Sequence, residues 1–319
     1  MTSTDSPAPI PAEPQRVDAP LTRAAIFLVV TMNDGDVAAA TVRDTLGGLD
    51  DLVKTVAFRD MHASLTCTAA IGHDVFERVT GHVTPADLHP FVPVHGARHT
   101  APATPGDLLF HIRADFTDLC FEFEKLLLAE LGAAVTVVDE TFGFRYFDAR
   151  DLLGFVDGTA NPVGPGLRTA TLVGEEDPDF EGGSYVVVQR YTHEIDAWQG
   201  LTVEQQEAII GRRKFDNVEL PDAEGPAQKS HKTLSTITDA AGEHDIVRDN
   251  MPFGHPGRGE FGTYFIGYSR HLWVIEKMLE RMYIGDPPGT HDRILDFSTP
   301  RTGTTFFAPS ATFLAALAD

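Results

Sequence analysis

Between residues 22 and 140 the chain alternates two kinds of apolar pattern. Residues 24–31 form a short run of β-branched and aromatic residues, bounded by polar turns, which predicts a buried strand. Asn33-Asp34-Gly35-Asp36 then offers turn and helix-cap chemistry. Val37, Ala40, Leu46, Leu49, Leu52 and Val53 recur at helical spacing, with a break expected at Gly47-Gly48. Residues 65–71 read as a second strand, 81–105 as a Pro- and His-containing loop, and 107–114 as a third strand. Residues 116–131 carry a strong helical pattern, and 134–138 form a fourth strand. The order is βαββαβ. That order predicts a ferredoxin-like, four-stranded antiparallel sheet with helices on one face.

The rest of the chain partly repeats the theme. Strands are expected over 184–191, 263–268 and 304–307, and helices over 203–210, capped by Thr202, and 272–283. With 319 residues there is room for two such domains. The resulting division is a loose Pro-rich arm over 1–20, an N-terminal domain over 21–143 and a C-terminal domain over 144–319. The fold class is α+β.

Charge excludes some functions. A net charge of −22 leaves no basic footprint for nucleic acid, and an anionic membrane surface would repel it. The apolar run at 24–30 is too short to span a bilayer, and no secretory leader precedes it. Cys67 and Cys120 make neither a disulfide framework nor a metal site. A cytoplasmic protein is expected.

Four stretches could carry chemistry. Gly154-Phe155-Val156-Asp157-Gly158-Thr159 presents an aspartate between glycines that would let backbone approach a flat ligand; an ordinary Asp-Gly turn is the alternative. Lys229-Ser230-His231-Lys232-Thr233 offers a nitrogen ligand for a metal, or simply a loop histidine. In Arg248-Asp249-Asn250, residues 248 and 250 would share one side of an extended segment and could stabilise an anion; a surface ion pair is the alternative. Gly262-Thr263-Tyr264-Phe265-Ile266-Gly267-Tyr268 could wall a flat apolar cofactor, or fill a sheet core. Phosphate loops, a nucleophile elbow and covalent haem attachment have no motif here.

Taken in this order and spacing, the four stretches resemble the dye-decolourising peroxidases, most closely the compact bacterial B-type subgroup. The resemblance runs from about residue 14 to residue 307. The segments Thr22–Val29 and Thr104–Ala114 share it. It implies two ferredoxin-like domains, non-covalent haem b in the C-terminal half and assembly into homo-oligomers, dimer to hexamer.

It also implies roles. His231 would be the axial iron ligand, and Asp292 or Asp296 would hold its other ring nitrogen, with Asp292 preferred. Gly158, Thr159, Arg248 and Phe265 would line the haem. Asp157 would move the peroxide proton, Arg248 would stabilise the developing negative charge and Asn250 would orient peroxide or water. The implied activity is reduction of hydrogen peroxide through a ferryl intermediate, with small organic reductants such as dyes and phenols oxidised one electron at a time.

Some B-type members carry a basic tail that docks them inside a protein shell. Residues 306–319 contain no such peptide, so no encapsulation is expected. Competing readings are a haem-iron handling protein, a chlorite-dismutase-like relative and a haem-free ligand-binding module.

Overall fold

Alternation along the first strand sorts its side chains onto two faces, and both faces are buried. The computed structural model describes residues 12–223, 227–240 and 242–318. In β1 (Ala24–Met32), Ala24, Ile26, Leu28 and Val30 pack under helices, while Ala25, Phe27 and Val29 face a second core. The helices on the first face are α1 (Asp36–Gly47), α2 (Leu49–Ala57), α3 (His73–Thr80) and α4 (Thr117–Leu131). The break at Gly47-Gly48 separates α1 from α2 as its composition suggests. The expected side-chain cap does not form, because the N-cap of α1 is Gly35 at φ 105°. Asn33 instead donates to the Ala133 carbonyl and accepts from Thr136. The eight-residue α3 falls outside the expected elements, since it is too short to show a clear period.

The first half-sheet is completed by β2 (Thr66–Ile71), β3 (Leu108–Ala114) and β4 (Val135–Phe144). Its antiparallel order is β2-β3-β1-β4. The second half supplies β5 (Ser184–His193), α5 (Val203–Ile210), the short α6 (His231–Ser235), β6 (Val247–Arg248), β7 (Met251–His255), β8 (Glu260–Ser269), α7 (Leu272–Tyr283), β9 (Ser298–Pro300) and β10 (Thr304–Ala308). Thr202 caps α5 as expected, in a capping box with Gln205. The order here is β6-β8-β5-β10, with β7 also on β8, so the ferredoxin-like pairing repeats. The fold is therefore α+β with two ferredoxin-like halves.

A single register pair, Phe307 with Ile71, joins the half-sheets into one ten-stranded sheet. The sheet curls until β7 lies against β4, with Met251 seated on Gly143. The second core fills the enclosed space, with Phe27, Ala70 and Leu109 meeting Val186, Val188, Tyr264 and Phe306. Phe27 is stacked between Tyr264 at 4.1 Å and His111 at 4.7 Å.

Of the arm expected over 1–20, residues 1–11 lie outside the described residues. Residues 12–20 are not loose. Gln15 is buried, donates to the Ala69 and Pro309 carbonyls and accepts from the Ala69 amide, and Val17 joins the second core. Composition favours disorder here, but one buried amide with three satisfied hydrogen bonds outweighs it.

Candidate active site

A cavity of about 210 Å³ opens beside β8, and all its lining residues lie between 151 and 298. One wall is apolar. Ile275, Met278, Leu279 and Met282 of α7 face Ile246, Phe265 and Ile294. The aromatic run in β8 divides by alternation: Thr263 and Phe265 line the cavity, while Tyr264 and Tyr268 enter the second core. Alternate residues of that run thus divide between the cavity wall and the sheet core.

His231 stands at the first position of α6, where Ser230 caps the helix by accepting from the Thr233 amide. Its Nδ1 lies 2.6 Å from Oδ2 of Asp292. Asp292 is fully buried, and its other oxygen accepts from the Ile294 amide. The carboxylate thus fixes the tautomer and leaves Nε2 as the nitrogen free for a ligand in the cavity. Between the two candidate carboxylates, the structure brings Asp292 to His231. Asp296 faces away and pairs with His99 and His291.

Asp157, Gly158, Thr159, Arg248 and Asn250 line the same cavity. Gly158 takes φ 72° and Gly154 takes φ 94°, left-handed values that a side chain resists. The space beside Gly154 is filled by Lys214, not by the cavity, so this glycine serves the turn rather than close approach of a ligand. The Gly158 amide donates to Asp157 Oδ1 at 2.7 Å, and Asn250 Nδ2 donates to Oδ2 at 3.1 Å. Asn250 Oδ1 in turn accepts from the Ile266 amide, which anchors it to β8.

Arg248 is held through its backbone by Asn161. The Arg248 amide donates to Oδ1 at 3.0 Å, and Nδ2 donates back to the Arg248 carbonyl at 2.7 Å. The buried Arg248 Nε has no hydrogen-bond partner among the described residues. Asp157, Arg248 and Asn250 also border a smaller pocket that reaches Leu21, Thr22 and Arg145 of the N-terminal half.

Some cavity residues escape sequence reasoning. Burial pushes the Asp151 carboxyl up to about 7; the Asp157 charge adds to this and backbone amides oppose it. Burial lowers His193 to about 4, so its ring is neutral between Ser298 and Thr263. Asn161 is within reach of sequence reasoning, since it closes the Asp157 motif. Asp151 and His193 give no signal, because their burial depends on distant segments.

The residues present suit a haem. An imidazole oriented by a carboxylate, an apolar wall and an unpartnered buried guanidinium nitrogen meet in one cavity. Two family models cover nearly the whole chain: Dyp-type peroxidase, N-terminal, over residues 14–145, and Dyp-type peroxidase, C-terminal, over 148–313.

The chain belongs to the Dyp-type peroxidase family. A dye-decolorizing peroxidase of Mycolicibacterium paratuberculosis is 55% identical over 95% of this chain and 85% of that protein. DyPB from Rhodococcus jostii RHA1 superposes with TM-score 0.93 at 54% identity, over 96% of this chain and 98% of that one. A variant of that protein is solved in complex with haem, with TM-score 0.92 at 53% identity over 95% and 98% of the two chains. An encapsulated DyP-type peroxidase from Mycobacterium smegmatis has TM-score 0.92 at 53% identity, over 96% and 98%. These Dyp-type relatives agree with the B-type resemblance.

Proposed function

We propose that this Dyp-type peroxidase binds haem b in its C-terminal half, consumes hydrogen peroxide and oxidises small organic reductants such as dyes and phenols. The observation that carries this is the shared cavity: His231, oriented by buried Asp292, and the trio Asp157, Arg248 and Asn250 line one space. A haem there supplies the iron on which peroxide is split and through which electrons return.

The chain's own groups divide the remaining work. His231 would hold the iron through Nε2, with Asp292 keeping the proton on Nδ1 and giving the ring anionic character. Asp157 takes the proton of incoming peroxide, directly or through a water, and returns it to the departing oxygen. Asn250 holds Asp157 in place. Arg248 meets negative charge as it develops. Gly158, Thr159 and Phe265, which line the cavity, would border the bound group. A haem-handling protein needs the axial ligand and apolar wall only; the convergent polar trio favours peroxide chemistry.

Two further features bear on assembly and location. The β4 strand exposes Val137, Val138, Phe142 and Phe144, an apolar face suited to a second copy of the chain, which supports a homo-oligomer. No helix among the described residues is long and apolar enough to cross a membrane, and the unpaired Cys67 and Cys120 suit a reducing cytoplasm. No encapsulation of this chain is proposed; a relative from Mycobacterium smegmatis is encapsulated, and co-purification of this chain with a shell protein would overturn the proposal.

The deciding experiment is stopped-flow absorption. Haem-loaded protein is mixed with one equivalent of peroxide. A ferric, histidine-ligated spectrum that converts rapidly, then returns when a phenol is added, is expected. A Soret band that stays unchanged or merely bleaches would shift the reading to haem transport or iron release.

A further inference from the structure

On the far side of the Asp292 segment, three groups converge that the peroxidase chemistry does not use. His99 sits in the turn between the short strands Val94–His95 and Thr100–Ala101, a hairpin of the N-terminal half. His291 and Asp296 bracket the 3-10 turn that follows α7 in the C-terminal half. Nε2 of His99 is 3.1 Å from Oδ1 of Asp296, and Nε2 of His291 is 3.0 Å from the same oxygen. The three donor atoms lie within 4.8 Å of one another. The two rings stand 4.9 Å apart, and their side chains are 22% and 13% exposed. The donors are thus gathered but still open to solvent.

Around a tetrahedral Zn²⁺ with ligand bonds of about 2.0–2.1 Å, donor atoms stand about 3.3 Å apart. The observed spacings need only small rotations to reach this. Two imidazoles and one carboxylate form a borderline set that suits Zn²⁺ or Cu²⁺ better than Ca²⁺ or Mg²⁺. Two arginines approach the Asp296 carboxylate, and neither blocks it. Arg98 Nη1 is 3.7 Å from Oδ1 on a side chain 67% exposed, free to swing away. Arg293 Nε is 3.5 Å from Oδ2, the oxygen that a cation on Oδ1 leaves to it.

We propose that His99, His291 and Asp296 form a site for a divalent first-row cation of the Zn²⁺ or Cu²⁺ type, separate from the haem. The ion would tie the N-terminal hairpin to the segment that carries Asp292, adding a further link between the two halves.

Titration of chelator-treated, haem-loaded protein with Zn²⁺ by calorimetry tests this. One ion per chain is expected, with a rise in Tm. Binding should weaken at least about tenfold in His99→Ala and in His291→Ala. Cu²⁺ in the same site should show electron-paramagnetic hyperfine splitting from two imidazole nitrogens in the wild type and from one in either variant. Unchanged stoichiometry and affinity in a His99→Ala/His291→Ala double variant would overturn the proposal. So would the absence of binding at millimolar Zn²⁺. If the double variant does not fold, anomalous scattering at the zinc edge from wild-type crystals still decides, and an ion placed elsewhere refutes the site.

Discussion

Asp157 has two carboxylate oxygens, and both are engaged before any substrate arrives, one by the Gly158 amide and one by Asn250. Arg248 differs. Its backbone is clamped by Asn161 while its buried Nε has no partner among the described residues. A buried donor without a protein partner is an electrostatic demand that negative charge developing on peroxide would answer. Arg248 is therefore expected to outrank Asp157, because charge stabilisation needs no proton transfer at that residue. Single-turnover peroxide kinetics check this. Arg248→Leu should lower the second-order rate constant by roughly 10²–10³-fold, the scale of losing one preorganised donor. Asp157→Ala should cost about tenfold or less, since a water can replace it as proton carrier. A larger loss in the aspartate variant reverses the ranking.

Between Arg248 and Asn250, Asp249 points the other way, and this alternation sets up a coupling between elements. Its carboxylate enters the second core and accepts from Nη1 of the fully buried Arg113 on β3, at 2.9 Å. Arg113 also donates to the Arg16 carbonyl and to Thr68. A strand of the N-terminal half thereby positions the β6–β7 segment that carries Arg248 and Asn250. Arg113→Met should destabilise the protein by about 3–5 kcal/mol in denaturant unfolding, because a carboxylate is left buried and unpaired. Adding Asp249→Leu should recover much of the loss, since neither charge then remains. An additive penalty would mean that the pair is not coupled. The same region shows where sequence reasoning stops. Arg248 and Asn250 can be placed on one side because a two-residue alternation is local. The partner of Asp249 cannot, because it lies 136 residues away across the second core. Likewise the βαββαβ order is legible from periodicity. The short β7 is not, because Met251-Pro252-Phe253-Gly254 lacks alternation and its pairing with β8 is set by tertiary context. Choosing between Asp292 and Asp296 also needs the fold. Asp292, the extended N-cap of the 3-10 turn, meets His231, while Asp296 at the end of that turn meets the N-terminal hairpin.

For the molecule as a whole, stability against pH depends on which buried groups are held away from their ordinary charge. Glu124 of α4 is almost fully buried. Burial, reinforced by the Glu140 charge and a hydrogen bond to it, pushes its carboxyl up to about 8. A raised carboxyl favours folding fully below the ordinary value of 4.5, and this contribution is lost as pH rises through about 8. Asp151, at about 7, acts in the same direction. His193 acts oppositely. Buried neutral and held at about 4, it contributes above its ordinary value of 6.5 and loses that contribution as pH falls toward 4. Between about pH 4.5 and 6.5 the two raised carboxyls outweigh the one histidine, so these groups together lower stability as pH rises through neutrality, and the net charge of −22 steepens the alkaline side through self-repulsion. Glu124→Gln isolates one limb. It keeps the shape of the side chain and removes its titration, so it should leave Tm unchanged at pH 4 and raise it at pH 9. The expected gain there is about 1–4 kcal/mol, because moving a carboxyl by one pH unit changes the folding free energy by roughly 1.4 kcal/mol. Thermal unfolding of the haem-loaded variant and wild type across this range is the measurement. Parallel curves would show that the alkaline loss comes from the overall charge, and a gap that opens only above neutrality would assign it to the buried glutamate.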